Sequence, residues 1–325
     1  MNETLIHQTI WNALSRAAEQ DKVFHAYLFE GSAGIGKKTL ANRFAMALHC
    51  EGENKPCMTC PSCLKHRAQS HPDYEVCAAE AGRQSLSVKA VRSACEHLFI
   101  RPLVSKRKIL FIPQAERCEA GAQNALLKCL EEPPPYAVIL LSTTHLSALL
   151  PTIRSRTAIY SLSPCAHDTL CRLIETTYAL DADERLLIAS LSSGLIGRAV
   201  RLCEDEGLRE ALNRLFMLLC HMHESRYKAL EVADFLSGQS DEDGFLFECC
   251  LLYLRDVTLY ALSGKKPLLS RYSALIEQAA KAKSAKAWTR ALYCLSSAKA
   301  DKASYVNESL WITKQMITLW EVLND

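Results

Sequence analysis

The sequence predicts an α/β domain with a mostly parallel sheet, followed by two helical regions. Three apolar runs in the first half, at positions 26–29, 107–113 and 136–142, have the length of buried strands. Stretches with helical spacing, at 38–48 and 120–132, lie between them, and the two later strands are apolar on both faces. Strands that alternate with helices form a parallel sheet covered by helices on both sides.

The pattern changes after Pro164, where segments with a 3.6-residue apolar period replace the strand-like runs. At 325 residues the chain is too long for one core. We therefore expect three domains: an α/β domain at 1–163, a small helical domain at 164–206 and a helical bundle at 207–325.

Three features of the last region lead to separate predictions. The polar segment 237–244 is predicted to be a loop, and Asn307 is predicted to start the last helix. The apolar faces that carry Trp288, Trp311 and Trp320 suit either an internal core or a surface shared with other chains.

Composition limits the classes of function. A net charge of +2 is too small to steer the whole protein to nucleic acid, so DNA contact would come from a local face or from partners. The N-terminus lacks a basic stretch followed by an apolar core, and no apolar run reaches the roughly 18 residues that cross a bilayer. Fifteen cysteines without an export signal indicate a reducing compartment, so we expect a cytoplasmic protein without membrane contact.

A glycine-rich turn between a strand and a helix has the context that a phosphate-binding loop requires. Its glycines let backbone N–H groups converge on a phosphate, to which the helix N-terminus adds its dipole. The alternative is an ordinary strand-to-helix turn. The candidate nucleotide-binding residues are Gly31, Gly34, Gly36, Lys37, Lys38 and Thr39.

This loop departs from a working Mg-ATP site. Lys37 is placed to reach the β- and γ-phosphates, but Lys38 stands where a hydroxyl should bind Mg²⁺. Thr39 lies one residue late, rotated by about 100° around the helix. Binding of ATP or ADP is left open, because Lys37 and the backbone amides remain.

The end of the next buried strand carries a second departure. An ATPase needs a metal-binding acid and a water-activating acid there, and this chain has Pro113 and Gln114. Glu116 comes two positions later and is predicted to cap or flank the next helix. Thr143 and Thr144 follow another strand, where either a polar sensor or a structural role fits. We expect no ATP hydrolysis.

Four cysteines form a compact cluster interrupted by prolines. Closely spaced thiolates suit a tetrahedral structural zinc, while a redox pair and an iron–sulfur cluster are the alternatives. His66 is near enough to replace one ligand, but we expect it to be a surface histidine. The predicted zinc ligands are Cys50, Cys57, Cys60 and Cys63.

Together these motifs resemble the AAA+ clamp-loader subunits of bacterial DNA polymerase III. The resemblance covers the first two predicted domains well and extends to the last by its helical character alone. The matching segments are HAYLF at 25–29, the four-cysteine insertion, SHPD at 70–73, NALLKCLEEPP at 124–134 and TIRSR at 152–156.

Within this family the degraded site is similar to that of delta-prime subunits rather than the ATP-hydrolysing gamma/tau subunits. Gly197 stands where the active subunit carries a phosphate-sensing arginine, and Arg198 beside it should point elsewhere. No long C-terminal extension of the tau type follows. Alternatives are an active gamma-like ATPase and a zinc-containing binding module on the same fold.

The resemblance also implies partners and one catalytic residue. Arg156 aligns with an arginine finger that reaches a neighbouring subunit's ATP, whereas a solvated surface arginine is the alternative. Arg154 has no comparable role. The implied partners are the gamma/tau and delta subunits, with the sliding clamp and primer–template DNA reached through the complex.

Overall fold

The computed structural model describes residues 7–79, 85–239, 244–301 and 307–325, without the side chains of 299–301. These residues form two compact units. The first contains the chain up to Ala166 together with Leu195–Gly197, and the second contains His167–Gly194 and Arg198–Asp325.

The first unit is built on a five-stranded parallel sheet in the order β2-β3-β4-β1-β5. The strands are β1 Ala26–Glu30, β2 Tyr74–Val76, β3 Lys108–Ile112, β4 Ala137–Thr143 and β5 Ala158–Ser161. The helices are α1 Gln8–Glu19, α2 Lys37–His49, α3 Pro61–Arg67, α4 Val88–Leu98, α5 Ala120–Glu131 and α6 Pro151–Arg154.

Both faces of the sheet are covered, as the apolar strands predict. Leu110 and Ile112 of β3 pack into a core that includes side chains of α4 and α5. Ile109 and Phe111, which point the opposite way, belong to a second core with α1 and α2. β4 is buried along its whole length, so the three predicted strands are confirmed.

Two strands were not predicted. β2 and β5 are the edges of the sheet, with three and four residues. Their side chains are only partly buried, so they lack the continuous apolar pattern that reveals β3 and β4.

The second unit is helical, as predicted. Its helices are α7 His167–Thr177, α8 Ala182–Ser192, most of α9 Ile196–Glu204, α10 Glu206–His221, α11 Arg226–Ser237, α12 Phe245–Ser263, α13 Ser273–Ala282, α14 Ala285–Asp301 and α15 Glu308–Asn324.

Three features of this unit bear on the predictions made for it. The Asn307 side chain accepts a hydrogen bond of 3.1 Å from the Leu310 N–H, which confirms it as the start of the last helix. Ser237 ends α11, and the middle of the predicted loop, 240–243, lies outside the described residues. Trp288 and Trp311 are fully buried in the core of the unit, and Trp320 is partly buried.

No helix in the described part of the chain combines the length and the apolar composition needed to cross a bilayer.

Candidate functional site

The glycine-rich loop connects β1 to the N-terminus of α2, as predicted. Gly34 and Gly36 have φ of 74° and 106°, values that favour glycine. The Lys37 side chain is largely buried and its Nζ donates hydrogen bonds to the carbonyls of Gly31 and Ser32, the latter at 2.9 Å. Lys38 and Thr39 are both exposed.

The end of β3 has no acid at the two positions where hydrolysis requires one. Gln114 has a φ of 52°, in the left-handed region that non-glycine residues seldom adopt. Its N–H donates to the Ser142 hydroxyl at 3.3 Å, which fixes the turn against the end of β4.

Glu116 flanks the next helix without capping it. It lies in a 3₁₀ turn, Ala115–Arg117, and its Oε1 accepts hydrogen bonds from the Thr144 hydroxyl at 2.6 Å and the Thr144 N–H at 3.1 Å. The N-cap residue of α5 is Glu119, whose side chain forms no capping hydrogen bond. Of the two predicted roles, flanking the next helix is therefore confirmed and capping it is not, because the turn directs the side chain toward the end of β4.

Two further groups contact the loop. The N–H of Gly197 donates to the Gly34 carbonyl at 2.7 Å, and His7 Nε2 lies 3.0 Å from the Ile35 carbonyl oxygen. Arg198, next to Gly197, forms an ion pair of 2.8 Å with Glu248 and stacks on Phe245. The prediction that Arg198 points to another contact is therefore confirmed.

Arg156 follows α6 and is about one third exposed. Its guanidinium lies 3.0 Å from Glu131 Oε1 and donates to the Thr152 carbonyl at 3.1 Å. An ion pair this exposed to solvent contributes little to the free energy of folding, so the Arg156 side chain can exchange Glu131 for another partner.

The four cysteines come together where α2 ends and α3 begins, as predicted. Cys50 follows α2, Cys60 is the N-cap of α3 and Cys63 lies in its first turn. All four Sγ atoms are within 4.8 Å of one another, with Cys57–Cys63 and Cys50–Cys60 separations of 4.0 Å.

This set fits a tetrahedral zinc. A Zn–S bond of about 2.3 Å places sulfurs about 3.8 Å apart, close to the observed separations. Backbone N–H groups already point at the sulfurs: Cys57 N–H lies 3.2 Å from Cys50 Sγ, and Cys60 N–H lies 3.3 Å from Cys57 Sγ. Hydrogen bonds from Thr59 and Cys60 lower the pKa of Cys57 to about 5, whereas burial raises the pKa of Cys50. Zinc would stabilise all four thiolates in a closed structural site.

Beside the cysteines lies a stack of three buried histidines that the sequence reasoning missed. The rings of His49 and His71 are 4.2 Å apart, and those of His66 and His71 are 4.6 Å apart. His66 is thus not the predicted surface histidine. It is buried, with its Nε2 2.8 Å from His49 Nδ1.

His49 and His66 are neutral and hydrogen-bonded to each other, and the ring of His71 stacks on both. Burial lowers the pKa of His49 to about 3 and that of His66 to about 4. His49 Nε2 donates to the Arg107 carbonyl at 3.0 Å, so its Nδ1 accepts the proton of His66. The hydrogen bonds from His66 to His49 and from His49 to the Arg107 carbonyl tie the cysteine knuckle, residues 50–63, to the start of β3. One imidazole nitrogen of each of the three histidines lies within 4.8 Å of the others.

Asp73 is another buried group to which the sequence analysis gave no separate role. It is fully buried, and its carboxylate accepts N–H hydrogen bonds from Leu103 at 2.6 Å, Val104 at 2.9 Å and Ser105 at 2.8 Å. The Ser105 hydroxyl also lies 3.2 Å from His71 Nε2. The SHPD segment that marks the resemblance therefore folds the loop before β3.

The sequence of this chain is similar to those of known DNA polymerase III subunits. A family profile described as DNA polymerase III, delta subunit, matches residues 6–166. The DNA polymerase III subunit delta-prime of Pseudomonas aeruginosa is 38% identical over 151 residues, covering 46% of this chain and 45%, about half, of that protein's length. The delta-prime subunit of Bacillus subtilis is 30% identical over 230 residues, covering 70% of this chain and 67% of its own.

A solved structure supports the same fold class. A DNA polymerase III gamma subunit-related protein from Thermotoga maritima superposes with a TM-score of 0.53 and 19% identity, covering 96% of this chain and 98% of that one. The predicted AAA+ fold, a parallel sheet with surrounding helices and a helical C-terminal region, is confirmed. With the match to the Bacillus protein across two thirds of its length, the chain belongs to the delta-prime family of DNA polymerase III clamp-loader subunits.

Proposed function

We propose that this chain is an ATPase-defective ring member of the replicative clamp loader, which helps place a sliding clamp on primed DNA. Its partners would be the gamma/tau and delta subunits, with clamp and primer–template DNA reached through the assembly. The domain borders expected from the sequence, 1–163, 164–206 and 207–325, belong to this proposal.

One observation carries the proposal: the Mg²⁺-binding hydroxyl of the phosphate loop and the acid pair at the end of β3 are both missing from their expected positions. Lys38 is an exposed cation in place of the Mg²⁺ hydroxyl, and Pro113 and Gln114 replace the acid pair. The Lys37 ammonium is engaged by backbone carbonyls of its own loop. Without a metal ligand or a base, a bound nucleotide would not be hydrolysed.

Arg156 would act on a neighbour's nucleotide. Its guanidinium is partly exposed and held by a surface ion pair with Glu131, which a competing phosphate can replace. An arginine that stabilises charge on a γ-phosphate contributes on the order of 10³ to 10⁵ in rate in GTPases. The zinc at Cys50, Cys57, Cys60 and Cys63 would be structural.

Steady-state ATP turnover tests the proposal. The isolated chain is expected to show no hydrolysis above background, and robust turnover that Lys37→Ala abolishes would favour an active gamma-like subunit. The chain should also assemble with gamma/tau and delta subunits in reconstitution. A monodisperse chain that joins neither subunit would favour a separate zinc-containing binding module.

The reconstituted loader, supplied with clamp and primed DNA, tests Arg156. Arg156→Ala should slow ATP hydrolysis several-fold, because one site loses its trans arginine. Arg101→Ala removes another exposed arginine of the same unit and should leave the rate unchanged. Equal rates for both variants would contradict the role of Arg156.

A further inference from the structure

We propose that Glu116 serves as an internal anion for the phosphate loop: its carboxylate offsets the charge of Lys37 and lowers the affinity of the loop for nucleotide phosphates. This inference rests on the proposed function, because it gives a reason why a loop that does not hydrolyse ATP would also bind nucleotide weakly. It assigns the weak binding to a residue outside the loop.

A continuous chain of contacts connects Glu116 to the loop. Glu116 Oε1 is held by the Thr144 hydroxyl and N–H, at 2.6 and 3.1 Å. The preceding residue, Thr143, accepts a hydrogen bond of 3.2 Å from the Gly31 N–H through its carbonyl oxygen. Gly31 in turn accepts from Lys37 Nζ. The carboxylate is therefore fixed beside the first residue of the loop.

The second carboxylate oxygen is the unusual feature. Glu116 Oε2 is shielded from solvent and has no hydrogen-bond donor within 3.5 Å among the residues that the structure describes. A buried charged oxygen without a donor is costly unless a nearby charge compensates it. We assign that charge to Lys37, whose Nζ donates to the Gly31 carbonyl at the other end of this chain of contacts and whose side chain is largely buried.

The pKa shifts of Lys37 and Glu116 agree with an electrostatic interaction between the two side chains. Burial lowers the pKa of Lys37, and the field of Glu116 opposes that effect. Burial raises the pKa of Glu116, but the hydrogen bonds from Thr144 outweigh it, so the pKa ends below its ordinary value and the carboxylate is charged.

A phosphate entering the loop would meet this negative charge. No metal ligand is present at Lys38 to bring in a compensating cation, so the repulsion acts directly on the phosphate oxygens. Replacing Glu116 by glutamine removes the negative charge and keeps the shape of the side chain. The loop should then bind the diphosphate of a nucleotide more tightly without a metal ion. Gln at position 116 can still accept both hydrogen bonds from Thr144.

The experiment measures ADP binding by calorimetry in buffer with EDTA, using the full chain. Glu116→Gln should bind ADP on the order of tenfold more tightly than the parent, the size expected for one unscreened charge. Glu119→Gln is the matched control, because it makes the same change of net charge at an exposed position three residues away. Adding Lys37→Met to Glu116→Gln should abolish the gain.

Several results would overturn the inference: equal affinity in parent and Glu116→Gln, an equal gain in Glu119→Gln, or a gain that survives Lys37→Met. Absence of binding in all variants up to millimolar ADP would overturn it too. Glu116→Ala removes the carboxylate by a second route and should also gain affinity, which guards against a folding defect specific to glutamine. The proposed function is tested separately, by hydrolysis with Mg²⁺ and ATP, so the two can fail independently.

Discussion

The backbone N–H of Gly197 donates a hydrogen bond of 2.7 Å to the carbonyl of Gly34 in the phosphate loop. A Cβ at position 197 would lie 3.1 Å from both the Cα and the carbonyl oxygen of Gly34, which is tighter than ordinary packing. The position where active relatives are expected to carry an arginine is therefore shaped for glycine.

Gly197→Ala should lower the free energy of unfolding by about 1 kcal/mol, because the new methyl group presses on loop backbone that has little room to move. Gly207→Ala is the matched control, since Gly207 is also the second residue of a helix and its Cβ would be 3.5 Å from its nearest neighbour. That variant should be neutral or gain up to about 1 kcal/mol. Urea unfolding distinguishes the two, and equal effects would contradict the tight contact.

The zinc site should depend on each sulfur. Cys60→Ser removes one of four ligands and should reduce bound zinc from about one equivalent to a small fraction, measured by metal analysis after gel filtration. Cys294→Ser, at a half-buried position of the second unit, should keep the metal. Less than half an equivalent in the parent protein, with intact thiols, would contradict a zinc site.

Gly52 should be required for the same site although it offers no ligand. A Cβ there would lie 2.8 Å from the Cys57 Cβ and 3.0 Å from its Sγ, so the knuckle has to shift to admit it. Gly52→Ala is expected to weaken zinc binding at least tenfold in competition with a chelating dye. A glycine-to-alanine change at 207 is again the control, and an unchanged zinc affinity for Gly52→Ala would contradict the close approach.

Asp73 should make stability depend on pH in the acid range. Its folded-state pKa lies below the ordinary value, because hydrogen bonds from Leu103, Val104 and Ser105 outweigh the effect of burial. The stabilisation is therefore present above the unfolded pKa of about 3.9 and is lost as pH falls through the lower folded value.

Asp73→Asn tests that dependence. Whichever way the amide turns, its nitrogen faces at least one of the three N–H groups and cannot accept from it, so the variant should lose about 3 kcal/mol at pH 7 and most of the acid-range slope. Asp21→Asn, which removes an exposed partner of Arg107, should cost under about 1 kcal/mol. Urea unfolding between pH 7 and pH 3 provides both measurements, and a parallel slope for Asp73→Asn would contradict the assignment.

The sequence was sufficient wherever the determining pattern is local. β3 and β4 are buried on both faces and therefore read as continuous apolar runs. The four cysteines of the predicted zinc site could be recognised because they all fall between positions 50 and 63, with short spacings that converge in any compact knuckle.

The sequence was insufficient where distant segments meet. His49, His66 and His71 stack only because the ends of α2 and α3 and the loop before β2 converge, and no spacing encodes this. The bond between Glu116 and Thr144 depends on the adjacency of β3 and β4. The position of Asp73 in the SHPD segment could have drawn attention to it. Its role as a hydrogen-bond acceptor could not be predicted, because the N–H donors lie in a loop about thirty residues later.

Helix α2 has thirteen residues and a length of about 20 Å, with the phosphate loop at one end and the cysteine knuckle at the other. In an enzyme that depends on nucleotide, the bound phosphates help to hold such a helix in place. Here its far end is anchored by Cys50 and by the His49 contact to Arg107. A helix anchored at its C-terminal end would keep its direction whether or not a nucleotide occupies the loop at its N-terminal end, so the fold of this domain would not depend on bound nucleotide.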